Sequence, residues 1–324
     1  MYTYVIPCLL GLEKLVSDEC KRLGLQDVKA ENGRVLCRGT LEDCARLNIN
    51  LRCGARVMLV LADFPTRSFE ELFQGTRAVA WEDYLPRDAA FPVKGYSISS
   101  QLHAVPACQS IIKKAVVKRL MQGHRTTSLP ETGAEYKIRF MLRKNVCEIM
   151  LDTTGDGLHK RGYRRNSMEA PIRETLAATI ADLGRVRRDS LVEDPFCGSG
   201  TLLIEAAQKA MNIAPGLKRR FAAERYSFVP AAVWAEQRQK ALAESKLDVG
   251  FEAFGYDIDP AAVALANANA KLAGVEKRCH FEVADVADFA ARSEAIVLTN
   301  PPYGERMLSL IHISAPTRHL RISY

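Results

Sequence analysis

The sequence predicts an α/β fold, with an open, doubly wound sheet in the second half of the chain and an α+β region before it. Three observations carry this. A short apolar run ending at Asp194 turns through Gly198 and Gly200 into a helical apolar stretch from Leu202 to Met211. A second run closes on a carboxylate in Gly255-Tyr256-Asp257-Ile258-Asp259-Pro260. Residues 2 to 64 read as strand, helix, hairpin, helix, strand. Strands that end in acidic residues and turn through glycine into a helix build a ligand crevice at the carboxyl edge of a sheet.

In the front region, Leu12, Leu15, Val16, Cys20 and Leu23 share one helical face, and Gly24 ends that helix. Asn32-Gly33 marks a tight hairpin between Val28 and Leu36. Thr40 with Asp43 caps a second helix, and Arg56 to Leu61 alternates as a strand. This βαββαβ order is that of a ferredoxin-like unit, placed at residues 1–65. A second unit follows at residues 66–152. Ser68 opens a helix through Leu72 and Val79, and Phe91 to Ile98 alternates as a strand. After Pro106 a helix packs Ile111, Ile112, Ala115, Val116 and Leu120 on one side and carries Lys113, Lys114, Lys118 and Arg119 off it. Such a stripe suits either solvent or a nucleic-acid backbone. Two strands around Phe140 and Ile149 close the unit.

Residues 153–166 form a glycine- and arginine-rich bridge, in which Arg161, Arg164 and Arg165 are RNA-contact candidates and His159 is a plain loop residue. A helix from Pro171 to Leu183 follows, with Gly184 at its end. Between the first and second strands of the second-half sheet lies a long piece, Ala214 to Gly250, with a basic triplet Lys218-Arg219-Arg220 and a helix holding Trp234. The triplet is a further RNA-contact candidate.

The glycine turn narrows the ligand. In Asp194-Pro195-Phe196-Cys197-Gly198-Ser199-Gly200-Thr201, the two glycines allow positive φ and close approach, and Thr201 is placed to cap the following helix. A dinucleotide fingerprint wants a third glycine where Leu203 stands, and a P-loop wants a lysine after the glycines. The remaining common user is S-adenosylmethionine, which needs carboxylates and bare backbone. Asp257 suits a ribose hydroxyl, and Asp285, after a third strand at Phe281 to Val283, suits an adenine amino group. The last strand, Ala295 to Leu298, breaks at Asn300-Pro301-Pro302-Tyr303. An exocyclic amine is a weak nucleophile whose hydrogens need two acceptors. This corner resembles that of methyltransferases acting on amino nitrogens, and the resemblance implies that the Asn300 oxygen and the rigid Pro301 carbonyl supply them, with Pro302 fixing the corner and Tyr303 stacking on the base.

The order of these motifs resembles the class I methyltransferases that act on exocyclic amino nitrogens. With the bridge, Ala170-Pro171-Ile172-Arg173-Glu174-Thr175-Leu176-Ala177 and Leu202-Leu203-Ile204-Glu205-Ala206-Ala207, the chain resembles one branch of them, which carries a ferredoxin-like piece and a THUMP RNA-binding domain. Those are the 23S ribosomal RNA guanine-N2 methyltransferases, often called adenine-specific DNA methylases. The resemblance implies a Rossmann-like methyltransferase domain at residues 167–308 and S-adenosylmethionine held by Asp194, Phe196, Cys197, Gly198, Gly200, Thr201, Asp257, Ile258, Asp285 and Thr175. It also implies 23S ribosomal RNA or another structured RNA as partner. The residues alone leave guanine N2 and adenine N6 both open.

The net charge of +7 agrees with a nucleic-acid partner. Nine cysteines without a C-x-x-C pair, and six histidines without metal-ligand spacing, argue against a disulfide framework and a metal site. Cys197 reads as a packing residue and His280 as structural. No apolar run reaches membrane length, and the N-terminal residues lack a signal-peptide pattern, so the cytoplasm is expected. After Met307 the resemblance stops, and residues 309–324 read as a foreign tail. The expectation is therefore a truncated sheet with an exposed fourth strand, weak cofactor binding and aggregation. A non-catalytic RNA-binding protein is the rival from another class.

Overall fold

The computed structural model of the chain describes residues 1–164 and 172–302. The predicted βαββαβ order is present as β1 (Tyr2–Pro7), α1 (Glu13–Arg22), β2 (Gln26–Glu31), β3 (Arg34–Gly39), α2 (Leu41–Asn50) and β4 (Met58–Pro65). Thr40 and Asp43 form the predicted capping box on α2, and Gly24 turns out of α1 with φ +80°. The next unit is α3 (Phe69–Ala78), β5 (Val93–Ile98), α4 (Val105–Gly123), β6 (Ile138–Arg143) and β7 (Val146–Asp152). Ser68 and Glu71 make a second capping box, on α3.

The two front units share one seven-stranded sheet, in the order β2-β3-β1-β4-β7-β6-β5. Sequence patterning shows which face of a strand is apolar but not which strand lies beside it. Here β7 pairs antiparallel along β4, from Met58 opposite Asp152 to Pro65 opposite Val146. The pairing removes the open edge that β4 would present in an isolated unit.

The second half contains α5 (Glu174–Leu183), β8 (Leu191–Asp194), α6 (Thr201–Ala210), α7 (Ala231–Ala243), β9 (Glu252–Asp257), α8 (Pro260–Ala273), β10 (Cys279–Val283) and β11 (Ile296–Val297). Its strands are parallel, in the order β10-β9-β8-β11 among the described residues. The chain steps outward from β8 through β9 to β10, then returns to the other side of β8. This reversal makes the carboxyl end of β8 a topological switch point, where open α/β sheets bind ligands.

Two expectations need correction here. Helix α5 begins at Glu174, with Arg173 as an extended N-cap residue, while Pro171 lies outside the described residues. Thr201 does not cap α6. Gly200 is the N-cap residue, and Thr201 is buried in the first turn, where it shares a hydrogen bond with Ser199. Within the bridge, Thr153, Thr154, Leu158, Arg161 and Tyr163 are all buried. The expectations for residues 303–324 lie outside the described residues.

The long piece after α6 fastens the two halves together. Ala214, Phe221, Ala223, Tyr226, Val229 and Trp234 join the apolar core of the front sheet rather than that of the second. The Tyr226 ring stacks on Tyr136 at 4.3 Å, and its hydroxyl donates to the Asp152 carbonyl at 2.6 Å. In the basic triplet, Lys218 donates to the Leu272 carbonyl at 2.7 Å, and Arg219 to the carbonyls of Asp156, Gly157 and Lys160. Lys218, though exposed, and Arg219 are thus bound to carbonyls of the fold, and Arg220 is exposed and paired with Glu224.

Candidate active site at the switch point

The site grows from the end of β8. Gly198 takes φ +50° and Gly200 φ +77°, both in the left-handed region that favours glycine. The two glycines differ in what surrounds them. A Cβ on Gly200 would stand 2.8 Å from Phe281 Cζ and 3.0 Å from the Ala266 Cβ, so this position is closed by packing. A Cβ on Gly198 would meet nothing within 4 Å, so its backbone borders open space. The turn is held from outside by Asn269 of α8, a buried residue whose amide donates to the Ser199 carbonyl at 3.0 Å. Sequence reasoning missed Asn269. It lies three residues after the buried Ala266 on an alanine-rich helix, and that spacing could have found it.

Asp257, at the end of β9, reaches the turn. Its Oδ2 accepts from the Gly198 amide at 2.9 Å and its Oδ1 from the Asp259 amide at 2.9 Å. Asp194 lies almost completely buried beneath, accepting from the Phe196 amide at 3.0 Å. Burial pushes its carboxyl up to about 7; the Phe196 amide and the Thr299 hydroxyl favour the ionised form, and the nearby Asp257 opposes it. Thr299 is a second residue that sequence reasoning missed. Its buried hydroxyl lies beside Asp194 but lacks a well-formed hydrogen bond among the described residues.

Farther along the edge, Ile258 is 69 % exposed and Val283 is 53 % exposed, so two large apolar side chains stand in solvent between Asp257 and Asp285. Asp285 is also exposed and accepts from the Ala287 amide at 2.9 Å. A buried carboxyl at Asp194 beside the half-buried Asp257, an orphaned hydroxyl, bare backbone at Gly198 and uncovered apolar side chains fit a ligand with a cationic end and a flat aromatic end. S-adenosylmethionine has both.

On the other side of β8, β11 pairs Ile296 with Val192 and Val297 with Glu193, and the Leu298 amide donates to the Glu193 carbonyl at 2.9 Å. The strand is shorter than its apolar run suggests. Its entry is anchored by Arg292, which pairs with the buried Glu193 and stacks over the Phe254 ring at 3.7 Å. Asn300 and Pro301 follow, exposed, at the same sheet edge as the glycine turn, with Pro302 half-buried; Tyr303 lies outside the described residues. Thr175 is half-buried in the first turn of α5. Cys197 is buried and its thiol is pushed upward by that burial, which disfavours a thiolate. His280 is structural, bonded to Glu252 at 2.8 Å and stacked on Phe254.

Two RNA-contact candidates are corrected by burial. Arg161 is buried, donates to the carbonyls of Leu51, Arg52 and Leu158, and pairs with the fully buried Glu205 of α6 at 3.4 Å. Tyr163 donates to the same carboxylate at 3.0 Å. Arg164 is bound at 2.7 Å by Glu174, which is itself buried. Neither guanidinium faces solvent, and Arg165 lies outside the described residues. On α4, Lys113 is paired with Glu131 at 2.7 Å and sits over Phe91, whereas Lys114 and Lys118 are exposed. Among the described residues no cluster of acidic, His or Cys side chains is set to hold a metal, and no helix is long and apolar enough to cross a membrane.

Comparison with known proteins agrees with this arrangement. Three family models match: the RlmL ferredoxin-like domain over residues 3–58, the THUMP domain over 66–152, and the RMKL-like methyltransferase domain over 161–313. The chain is 40% identical to "Putative RNA methyltransferase YpsC" of Bacillus subtilis, covering 94% of this chain and 80% of that protein. It is 34% identical to the ribosomal RNA large subunit methyltransferase K/L of Shewanella baltica, but spans only 43% of that protein's length. Among solved structures, a "predicted N6-adenine-specific DNA methylase" from Listeria monocytogenes superposes with TM-score 0.92 at 42% identity, covering 96% of this chain and 82% of that one. SMU.472, "a putative methyltransferase complexed with SAH", superposes with TM-score 0.88 at 42% identity, over 94% and 81% of the two chains. The chain therefore belongs to the THUMP-domain class I methyltransferases, the S-adenosylmethionine-dependent RNA methyltransferases of the RlmK/L type.

Proposed function

We propose that the chain transfers a methyl group to the exocyclic N2 of a guanine in 23S ribosomal RNA, in the cytoplasm. The observation that carries this reading is the pairing of β11 with β8, which supports a shared hollow for the Asn300-Pro301 corner and the glycine turn. In this reading residues 1–65 and 66–152 present the RNA, with Lys114 and Lys118 on its backbone, and residues 167–308 perform the transfer. The K/L relatives are named for large-subunit ribosomal RNA, which supports that substrate.

When bound, S-adenosylmethionine supplies an electrophilic methyl on a cationic sulfonium. Asp194 draws the cationic end to the glycine turn, where Phe196, Cys197, Gly198, Gly200 and Thr201 shape the backbone and Thr175 closes over it, and Asp257 accepts from a ribose hydroxyl. Ile258 covers the adenine face and Asp285 accepts from its amino group. A guanine turned out of the RNA meets Asn300 and Pro301, which accept the two amine hydrogens and aim the nitrogen lone pair at the methyl carbon. Pro302 keeps that carbonyl rigid and Tyr303 stacks on the base. The chemistry is positioning and electrostatics, so no strong base is required.

The test is mass spectrometry of ribosomal RNA nucleosides from cells with and without the gene. One lost N2-methylguanosine in 23S RNA is expected. Loss of N6-methyladenosine instead would move the target to adenine, the base in the Listeria protein's name. No loss of any methylated nucleoside, together with RNA binding by the purified chain, would leave the non-catalytic reading standing.

A further inference from the structure

A cleft of about 550 Å³ opens at the amino edge of the second sheet, opposite the glycine turn. Its walls are the turn into β8, carrying Arg187 and Arg188, the end of α6, with Lys209 and Asn212, and the end of α7, with Glu244 followed by Lys246. The walls are stitched together. The Lys246 amide donates to the Met211 carbonyl at 2.7 Å, the Asn212 side chain to the Glu244 carbonyl at 3.0 Å, and the Arg187 amide to the Ser190 hydroxyl at 2.9 Å.

Cations at the ends of helices normally answer the negative end of the dipole. Lys209 does so, as it lies in the last turn of α6 and is bound to Asp182 at 2.6 Å and to the Ala181 carbonyl. The carbonyls of Met211 and Glu244 are answered by Lys246 N–H and Asn212. Arg187, Arg188 and Lys246 are different, because all three are exposed and none has a carboxylate or carbonyl partner for its side chain among the described residues. Glu244 is the acid lining the cleft, and it offsets only one of them. Three exposed cations without protein partners among the described residues line a preformed cleft.

We propose that this cleft holds the phosphate backbone of the RNA substrate at a point remote from the methylated base. The inference rests on the RNA reading above and adds a second anchoring surface to it. Helix α6 separates the two places: its ten residues span about 15 Å, so one folded RNA can reach both edges of the domain. Phosphate contacts give affinity and register without reading bases, which suits arginines on a turn with no aromatic platform beside them.

The experiment uses the full chain, a triple Arg187→Glu, Arg188→Glu, Lys246→Glu variant, and a second triple to Gln. Affinity for a long 23S transcript and for a short hairpin around the methylated nucleotide is measured across salt, with cofactor affinity and melting as controls. The transcript is expected to bind at least about tenfold more weakly to the Glu variant, with the salt slope reduced by about 2. Hairpin and cofactor binding should stay within about twofold of the unmodified chain. The Gln variant gives the same direction at smaller size and stands in if the Glu variant is unfolded. Transcript affinity and salt slope unchanged in a folded variant would overturn the proposal. An unmodified chain that binds no RNA overturns the RNA reading itself, a result read before any variant is made.

Discussion

Asp194 is a carboxyl held out of water with one firm hydrogen bond, and that has a cost. Its folded value, about 7 against an ordinary 3.8, means the native state keeps a proton there that the unfolded chain has lost. This group therefore stabilises the fold at low pH, and its contribution is lost as pH rises through about 7, a difference on the order of 4 kcal/mol. Asp194→Asn should raise the melting temperature at pH 8 while weakening cofactor binding at least about tenfold. Melting curves from pH 5 to 8 with calorimetric titration of cofactor check both halves, and a variant that is less stable at pH 8 would contradict the burial argument. Asn300 belongs to the same scale, and in the proposed reading it holds the base. Asn300→Ala should lower kcat by about 10²- to 10³-fold and leave cofactor affinity within about twofold. Equal loss in both would mean that Asn300 shapes the pocket rather than holding the amine.

The glycine turn is readable in the sequence as an element, because positive φ is a local demand that only certain residues meet cheaply. The same two glycines separate once packing is known. Gly200→Ala drives a methyl group against Phe281 and Ala266, so it should lower stability by about 1–3 kcal/mol. Gly198→Ala points into open space, and should lose less stability and proportionally more cofactor affinity. Denaturant unfolding and cofactor titration of the pair decide this, and matched losses in both quantities would refute the distinction. The capping boxes at Thr40 and Ser68 were likewise readable, since each cap and its partner lie three residues apart. The cap of α6 was not. Thr201 has the right chemistry, but the backbone at Gly200 is already left-handed, which moves the helix start by one residue.

At the scale of the whole molecule, the buried pair of Arg161 and Glu205 ties the bridge to α6, the helix that starts at the glycine turn. Arg161 also donates to the carbonyls of Leu51 and Arg52 at the end of α2, and Arg52 donates to the Ile213 carbonyl at 2.8 Å, so front and back halves meet around these charges. Removing one partner strands the other, and Arg161→Met should cost about 3–5 kcal/mol. Combining it with Glu205→Leu and Tyr163→Phe should recover part of that loss. Urea unfolding checks the series, and a triple variant no better than the single one would show that carbonyl contacts, not the ion pair, carry the joint.

The local devices of this protein were written in neighbouring residues: the left-handed glycines, the acidic strand ends, and the capping boxes of α2 and α3. Each depends on backbone sterics or on hydrogen bonds within a few residues, so the chain alone specifies it. Two features waited for tertiary structure. One is that β11 lies beside β8, which brings Asn300 to the edge of a turn more than a hundred residues earlier; alternation of apolar residues says nothing about which strand is the neighbour. The other is the fate of the arginines. Arg161, Arg164 and Arg219 look in sequence like Arg187 and Arg188, yet the first three are bound within the fold and the last two are exposed. A cation's role is set by the acceptors around it, and those come from distant parts of the chain.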